Sequence, residues 1–516
     1  MVGDHEWRLG GAVRVLNKSR IPGFYRQAAA RCTLNKYYSV LRLPSLSRYW
    51  IFFQPFSFMS SIWAACNSLA LGLALLYICL FTLTIPHHSL IYLRLAIAPL
   101  AILNFWNFGY GPYQPPTLMV SSAMATIGMY GVMRVLEHSI VGFWDPTPPH
   151  WVRRAGRNGL HRTYPPPKSF RERCLYAFDL LASQRGVSWS KDRDWNWIPR
   201  RLRSRTSAPS RQFIMDNVKA MVIQYLLLDL LEAITKSRRW NTRSPHPISS
   251  LSVLEQSIFT MCICGGAFLS ITFGYTVTST ACVLCGSSPD SWPPMFDSPF
   301  ASTSLSDFWA HRWHWMFRRV FDRLSMPLVC VTMSIIGLSG KDVRQMEPIV
   351  SAIRTTIIFV ISTLLHLFIM QRTAQSEHHK NYGTNSPPFW DPGTLIFFLG
   401  QPFGLFIEST VIIRVAHWIF PSQDHPGDSQ QHKNILICPS PRIDGSRGAA
   451  TDALEPGEGH NRYRWERVAL IRLYTWMFLI WTGRWGADTW VRVGFFREDE
   501  IVVPFSLWRW LWGGKW

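Results

Sequence analysis

The side chains best suited to chemistry lie in two stretches of this sequence. The first, residues 304–319, reads SLSDFWAHRWHWMFRR and is dense in Trp, His and Arg. The second is His366, which lies inside the apolar run 357–370 with Ser362 and Thr363 one helical turn earlier. An ionisable side chain within such an apolar run is a candidate functional residue. The rest of the chain must bring these two stretches together.

His366 is a candidate general base, because histidine takes up and returns a proton near neutral pH. That chemistry suits the removal of a proton from a substrate hydroxyl next to an activated acyl group. The alternative is a structural histidine whose ring hydrogen-bonds Ser362, Thr363 or a carbonyl of a neighbouring helix. The residues alone leave both interpretations open.

The aromatic stretch 304–319 is predicted to be one amphipathic helix at a membrane surface. One stripe of it contains Asp307, His311, His314 and Arg318, and a second contains Trp309, Trp313, Met316 and Val320. His311, His314 and Asp307 are too few for a metal site, so we expect no metal here. His314 is instead predicted to hydrogen-bond a carbonyl or thioester. Three arginines can meet phosphates: Arg312, Arg318 and Arg319. The alternative for the tryptophans is an aromatic belt at the membrane–water interface.

Composition indicates a membrane protein. The chain of 516 residues is 48% hydrophobic and 14% aromatic with a formal charge of +21, and a membrane-spanning helix needs roughly 20 mostly apolar residues. We predict an all-α polytopic integral membrane protein with about eight or nine transmembrane helices. The candidate segments lie near 62–84, 88–108, 117–136, 212–234, 253–283, 325–339, 350–370, 394–419 and 466–483. No nucleic-acid-binding module accompanies the basic charge, so membrane lipids are the expected partners and nucleic acid is not.

The same pattern divides the chain into six regions. They are a basic cytosolic segment 1–49, N-terminal membrane helices 50–143, a basic cytosolic loop 144–211, a catalytic membrane core 212–420, a disordered insertion 421–462, and a C-terminal helix with an interfacial tail 463–516. A solvated loop that sets topology explains most of the charge of 144–211, with lipid headgroups or cofactor phosphates as the alternative partners. Two basic regions on either side of three spans would face opposite compartments. One of the first three segments is therefore predicted to be re-entrant, split or interfacial.

The motifs carry a family resemblance when they are taken in order. Ser304-Leu-x-Asp-Phe-Trp-x-x-Arg-Trp-His314 is preceded by Trp292-Pro-Pro-Met-Phe-Asp-Ser298 and followed by Phe359-x-x-Ser-x-x-x-His366. This arrangement resembles the wax synthase-like branch of the membrane-bound O-acyltransferases, especially fungal members that acetylate terpenoid and meroterpenoid natural products. Arg185-Gly-Val-Ser-Trp189 is similar to a motif in the loop of those proteins. The resemblance covers roughly residues 140–420.

The resemblance implies roles for individual residues. His366 matches the catalytic histidine, and His314 occupies the position of a polar Asn or His. We assign substrate or acyl-CoA binding to Phe308, Trp309, Arg312, Trp313, Ser362 and Thr363. Ala310 and Thr363 stand where glycine is usual. Thr363 could narrow the pocket or hydrogen-bond the imidazole.

The function expected from this resemblance is an O-acetyltransferase that uses acetyl-CoA as co-substrate, without a bound cofactor, and a lipophilic alcohol from the bilayer. The expected compartment is the endoplasmic reticulum. One alternative is a long-chain acyl-CoA:alcohol acyltransferase that makes wax or sterol esters. The other is a non-enzymatic transporter or scaffold with a polar path along Arg94, Arg354, Arg414 and His366.

Overall fold

A computed structural model gives the fold of most of the chain. It describes residues 50–113, 115–140, 148–153, 163–183, 185–189, 192–198, 209–238, 240, 244, 246–313, 316–337, 346–381, 390–420, 461–497, 500, 503 and 506–511. The chain divides into two compact units, 1–60 and 61–516, and residues 50–60 are the described part of the first. The predicted cytosolic segment 1–49 lies outside the described residues. So does the predicted insertion 421–462, apart from residues 461 and 462.

The described structure is almost entirely helical, which confirms the predicted fold class. The helices are α1 (Trp50–Thr82), α2 (Leu90–Tyr110), α3 (Leu118–Ser139), α4 (Phe170–Ala182), α5 (Ser210–Lys236), α6 (Val253–Leu284), α7 (Leu305–Asp307), α8 (Arg318–Ile335), α9 (Glu347–Asn381), α10 (Pro392–Ile407), α11 (Ile413–Ile419), α12 (Asn461–Val493) and α13 (Leu507–Leu511). The strands β1 (Trp151–Arg153) and β2 (Arg193–Trp195) pair antiparallel, with Trp151 opposite Trp195.

Side-chain caps fix several helix starts. Ser252 before α6 forms a capping box with Glu255, and Ser169 before α4 does the same with Glu172. Asp391 accepts a hydrogen bond from the backbone N–H of Thr394 and so caps α10. These polar residues satisfy backbone N–H groups that a helix leaves unpaired at its first turn.

Six helices among the described residues are long and apolar enough to cross a membrane. They are Ile62–Thr82, Leu90–Tyr110, Leu118–Ser139, Val253–Leu284, Glu347–Gln375 and Pro392–Ile419. Helices α5, α8 and α12 carry more charged residues, so the count of eight or nine spans stays a prediction. Each of the first three segments is one continuous helix over its described length. A split helix among them is therefore excluded, and a re-entrant or interfacial segment stays a prediction.

The described part of the basic region 144–211 is a folded unit, which we call the loop subdomain: residues 148–153, 163–183, 185–189 and 192–198. Its core contains Trp151, Tyr176 and Trp195, which pack in one cluster with Phe105 of α2. Asp179 is buried beneath this core and accepts hydrogen bonds from the Trp151 indole, the Ser188 hydroxyl and the Trp189 N–H at 2.7, 2.7 and 2.8 Å. Burial raises the pKa of the Asp179 carboxyl, and these hydrogen bonds oppose the rise. The alternation of aromatic and charged residues thus builds a core rather than only a solvated loop.

The described residues near the C-terminus, 500, 503 and 506–511, are held to α5 by hydrogen bonds. Asp229 accepts a hydrogen bond from the N–H of Leu507 at 2.8 Å, and the Lys236 ammonium donates to the Glu500 carbonyl. The Glu500 carboxylate accepts from the N–H of Leu118 at 2.7 Å, at the start of α3. The α5 residues that hold the tail, all buried, are Asp229, Glu232 and Lys236.

Candidate functional site

His366 lies on α9, and a hydrogen bond fixes its tautomer. Its Nδ1 is 2.7 Å from the backbone carbonyl oxygen of Ser362. A carbonyl can only accept, so Nδ1 carries the proton and Nε2 carries the lone pair. The half-buried ring stacks on Phe398 of α10, with centroids 4.0 Å apart and an interplanar angle of 30°. This arrangement presents the ring nitrogen that a general base needs.

Ser362 and Thr363, predicted to bind substrate, are both buried on α9. Ser362 contributes its backbone carbonyl to His366. The Thr363 hydroxyl donates to the Phe359 carbonyl at 2.6 Å, within its own helix. The two residues thus support the helix around His366, and their predicted contact with substrate stays a prediction.

The stretch 304–319 is not one helix, so that prediction is wrong. Helix α7 passes into a π-helical turn, Phe308–Arg312, after which Trp313 has an extended backbone and α8 begins at Arg318. The Arg312 guanidinium bonds the Asp307 carboxylate at 2.6 Å and the Asp297 carbonyl at 3.0 Å, which folds the turn back on itself. The phosphate contact predicted for Arg312 stays a prediction.

The two predicted stripes are consequently divided. His311 Nδ1 does lie 3.7 Å from the Asp307 carboxylate, as its spacing predicts. Arg318 belongs to the next helix, 3.9 Å from Asp322. His314, our second predicted catalytic residue, lies outside the described residues, and its role stays a prediction. In the part of the chain that the structure describes, no group of three or more His, Cys, Asp or Glu residues could hold a metal ion.

A buried carboxylate that sequence reasoning missed anchors the start of this motif. Glu408 accepts hydrogen bonds from the N–H groups of Leu305 at 2.7 Å and Ser306 at 3.0 Å. Its own backbone lies in a π-helical turn that follows α10. A lone carboxylate within the apolar run 394–419 was the available signal, because such residues are rare in membrane helices.

Aromatic stacking joins the motif to the segment that precedes it. Phe308 and Trp313 stack at 5.4 Å and 15° across the π-helical turn. Trp313 also contacts Phe296 at 5.0 Å. Two of the predicted binding residues, Phe308 and Trp313, therefore form one cluster with the segment Trp292–Ser298.

Trp309 brings the motif to the helix of His366. Its indole N–H donates to the Gln401 side-chain oxygen at 3.1 Å, and its ring meets Phe359 edge-on at 5.4 Å. Phe359 lies on the same helix as His366, two turns earlier. Trp309 also contacts Phe397, whose neighbour Phe398 stacks on His366. We call these four residues the aromatic wall: Trp309, Phe359, Phe397 and Phe398.

The loop subdomain supports the site from one side. Arg185, in the motif predicted from the resemblance, donates to the Pro294 carbonyl and to the Tyr275 hydroxyl. Tyr275 in turn donates to the Pro293 carbonyl at 2.7 Å. The segment Trp292–Ser298 is thus held between the loop subdomain and α6.

A buried ion cluster makes a second connection. Glu137 of α3 accepts from Arg134 at 2.8 Å and from Arg319 of α8 at 2.5 Å. The Arg319 guanidinium lies over the Trp197 ring, 3.4 Å from its centroid. Arg134 also donates to the Leu180 carbonyl at 2.7 Å. Since Arg318 and Arg319 both have carboxylate partners, phosphate binding by them stays a prediction.

Two cavities among the described residues lie away from the two motifs. One of about 280 Å³ lies in the loop subdomain and is lined by Arg153, Thr163, Tyr164 and Asp192. The other, of about 40 Å³, lies between α5, α6 and the end of α12. Neither is lined by a residue of the two motifs, so the site is assigned from the chemistry of His366 and from the aromatic wall.

Comparison with known proteins finds a family match in the region of the two motifs. The family described as membrane bound O-acyl transferase matches residues 292–391, which include both motifs. The acetyltransferase aurG of Calcarisporium arbuscula is 24% identical over 266 residues, or 48% of this chain and 58% of that protein. The acetyltransferase ple2 of Rhodocybe pseudopiperita is 28% identical over 180 residues, or 33% of this chain and 43% of that protein.

The chain spans about half the length of these two relatives. No solved structure matches it. The family match contains His366, the π-helical turn and the segment Trp292–Ser298, which are the parts that the fold brings together. Over residues 292–391 the chain is therefore similar to the membrane-bound O-acyltransferase family.

Proposed function

We propose that this chain is an O-acetyltransferase of the endoplasmic reticulum membrane. It transfers an acetyl group from acetyl-CoA to a hydroxyl of a lipophilic secondary metabolite, a terpenoid or meroterpenoid. The observation that carries the proposal is the His366 ring, whose Nε2 lone pair is set by the Nδ1 bond to Ser362. The names of the two relatives, both acetyltransferases, support acetyl as the group transferred.

The mechanism is a direct transfer within a ternary complex. His366 Nε2 takes the proton of the acceptor hydroxyl as its oxygen attacks the thioester carbonyl carbon. The carbon–sulfur bond then breaks, coenzyme A leaves as the thiolate, and the imidazolium returns the proton to the sulfur. The Ser362 carbonyl accepts the Nδ1–H throughout, and the Phe398 face stabilises the positive ring. The reaction thus requires no covalent acyl-enzyme.

The other predicted residues surround this step. In the proposal, His314 hydrogen-bonds the thioester carbonyl, and Phe308, Trp309 and Trp313 bind the donor or the acceptor. Arg312 supports them by holding the turn closed. The helices apolar enough to span a membrane let a lipophilic acceptor reach the site from the bilayer.

The test is acyl transfer in microsomes with labelled acetyl-CoA and palmitoyl-CoA and an extract of lipophilic alcohols. We expect acetyl transfer by the wild type and a loss of about 100-fold or more in His366→Ala, because a positioned base contributes about 10²–10⁴-fold. The matched control is His88→Ala, an exposed histidine in the turn before α2. Membrane insertion of each variant is checked by resistance to alkaline extraction.

Three outcomes would contradict the proposal. Wild-type rates in His366→Ala would exclude the base assignment. Transfer of palmitoyl without acetyl would make the protein a wax or sterol ester synthase. Transfer from neither donor by a correctly inserted protein would favour a transporter or scaffold.

A further inference from the structure

Gln401 is a fully buried amide in a helix apolar enough to span a membrane, 0% exposed. Its side-chain oxygen accepts from the Trp309 indole at 3.1 Å, and its amide nitrogen donates to the Phe397 carbonyl at 2.8 Å and the Thr482 hydroxyl at 3.1 Å. An indole can only donate and a carbonyl can only accept, so the orientation of the amide is determined. A polar group at this depth is retained only with such partners.

The bond to Gln401 fixes the side chain of a residue whose main chain departs from the α-helix. Trp309 lies in the π-helical turn Phe308–Arg312. Edge-on contact with Phe359 at 5.4 Å places the indole against α9, and the bond to Gln401 prevents rotation of the ring about its side-chain torsions. The position of this large side chain therefore depends on one buried amide as well as on its ring contacts.

Trp309 forms one end of the aromatic wall, and His366 lies at the other. From His366 the ring contacts run to Phe398 at 4.0 Å, from there to Phe397 at 4.7 Å, and on to Trp309 at 6.3 Å. A thioester carbonyl that reacts beside His366 places a two-carbon acyl group near Phe398. A longer acyl chain that follows the wall reaches Phe397 and then Trp309.

We infer that Gln401 is a positioning residue that limits the length of the acyl donor by holding Trp309 at the end of the aromatic wall. The inference rests on the proposed acyl transfer at His366. It predicts that release of Trp309 favours longer donors over acetyl. A change in the amount of folded protein would alter the rates with the longer donor and with acetyl-CoA by the same factor. The ratio of the two rates is therefore specific to this role.

The test compares purified variants with acetyl-CoA and butyryl-CoA. Gln401→Met keeps the length and removes the amide, and we expect the butyryl-to-acetyl ratio of kcat/KM to rise about tenfold, as for small changes in a substrate pocket. Thr482→Val is the matched control, because it removes a partner of the same amide and leaves the bond to Trp309. Its ratio is expected to match that of the wild type.

A double-mutant cycle isolates the contact. Trp309→Phe removes the indole donor and keeps an aromatic ring, so it is expected to raise the ratio by itself. It also tests the inference if Gln401→Met does not fold. Adding Gln401→Met to Trp309→Phe should cause no further rise, since the bond between them is already gone.

The outcomes separate this inference from the proposed function. An unchanged ratio in Gln401→Met and Trp309→Phe, an equal rise in Thr482→Val, or additive effects in the cycle would overturn the role of Gln401 alone. A wild-type protein that transfers neither acyl group would overturn the proposed function, and the inference with it.

Discussion

The ion cluster around Glu137 allows a quantitative test of how the loop subdomain is held to the membrane helices. Glu137 is 1% exposed, and its carboxylate bonds the guanidinium groups of Arg134 and Arg319. Glu137→Gln leaves the buried Arg134 and the partly buried Arg319 without their carboxylate. Loss of one partner from a buried ion pair costs about 3–5 kcal/mol, so we expect a loss of that size in the free energy of unfolding.

A second substitution should restore part of this loss. Arg319→Met, added to Glu137→Gln, removes one of the two uncompensated charges. It also removes the contact of the guanidinium with the Trp197 ring, which is worth up to about 2 kcal/mol in a desolvated site. The net result is a double variant about 1–2 kcal/mol more stable than Glu137→Gln alone.

Unfolding of the purified variants by SDS in mixed micelles, followed by circular dichroism, measures these differences. The control is Asp322→Asn on α8, whose carboxylate is 28% exposed and lies 3.1 Å from Arg354. A partly exposed pair is worth about 1 kcal/mol or less. Further destabilisation by Arg319→Met, or a loss in Asp322→Asn equal to that in Glu137→Gln, would refute the reasoning.

Two further substitutions test the packing and the loop subdomain. Gly131→Ala would place a methyl group 2.2 Å from a ring carbon of Phe105 and should reduce stability by about 1–3 kcal/mol. The control Gly266→Ala has nothing within 4 Å of its new methyl group and should change stability little. Thermal aggregation in detergent compares the two variants, and equal midpoints would contradict the close approach of Gly131 to Phe105. Asp179→Ala removes the acceptor of three hydrogen bonds, two of them buried, and should cost about 3 kcal/mol or more. Trypsin added to microsomes should then cleave the loop subdomain faster in Asp179→Ala than in Asp192→Ala, an exposed control. Equal cleavage of the two variants would exclude a structural role for the Asp179 carboxylate.

The sequence was sufficient for the features that depend on local pattern. His366 is recognisable as an ionisable residue in an apolar run. The periodicity of apolar residues assigns a residue to one face of a helix, but it does not identify contact partners that are distant in the sequence. The π-helical turn after Asp307 depends on the carbonyls of 297 and 298 and on Glu408, which only the fold brings together.

The core of the loop subdomain could not be predicted from the sequence, for a related reason. The net positive charge of this region indicated a solvent-exposed loop. Trp151, Tyr176 and Trp195 are separated by polar residues in the sequence, so no apolar period marks them as a core. Their common contact appears only when the two short strands pair.

The hydrogen bonds between α5 and the described residues near the C-terminus have a consequence for biosynthesis. Leu118 and Glu500, which share a hydrogen bond, are 382 positions apart in the chain, so α3 and α5 are synthesised long before their C-terminal partners. Until then the Asp229 and Glu232 carboxylates lack the backbone N–H groups that they accept in the finished fold. A chain truncated before residue 500 would therefore insert with both motifs intact and still expose buried charge on α5, the kind of defect that membrane quality control removes.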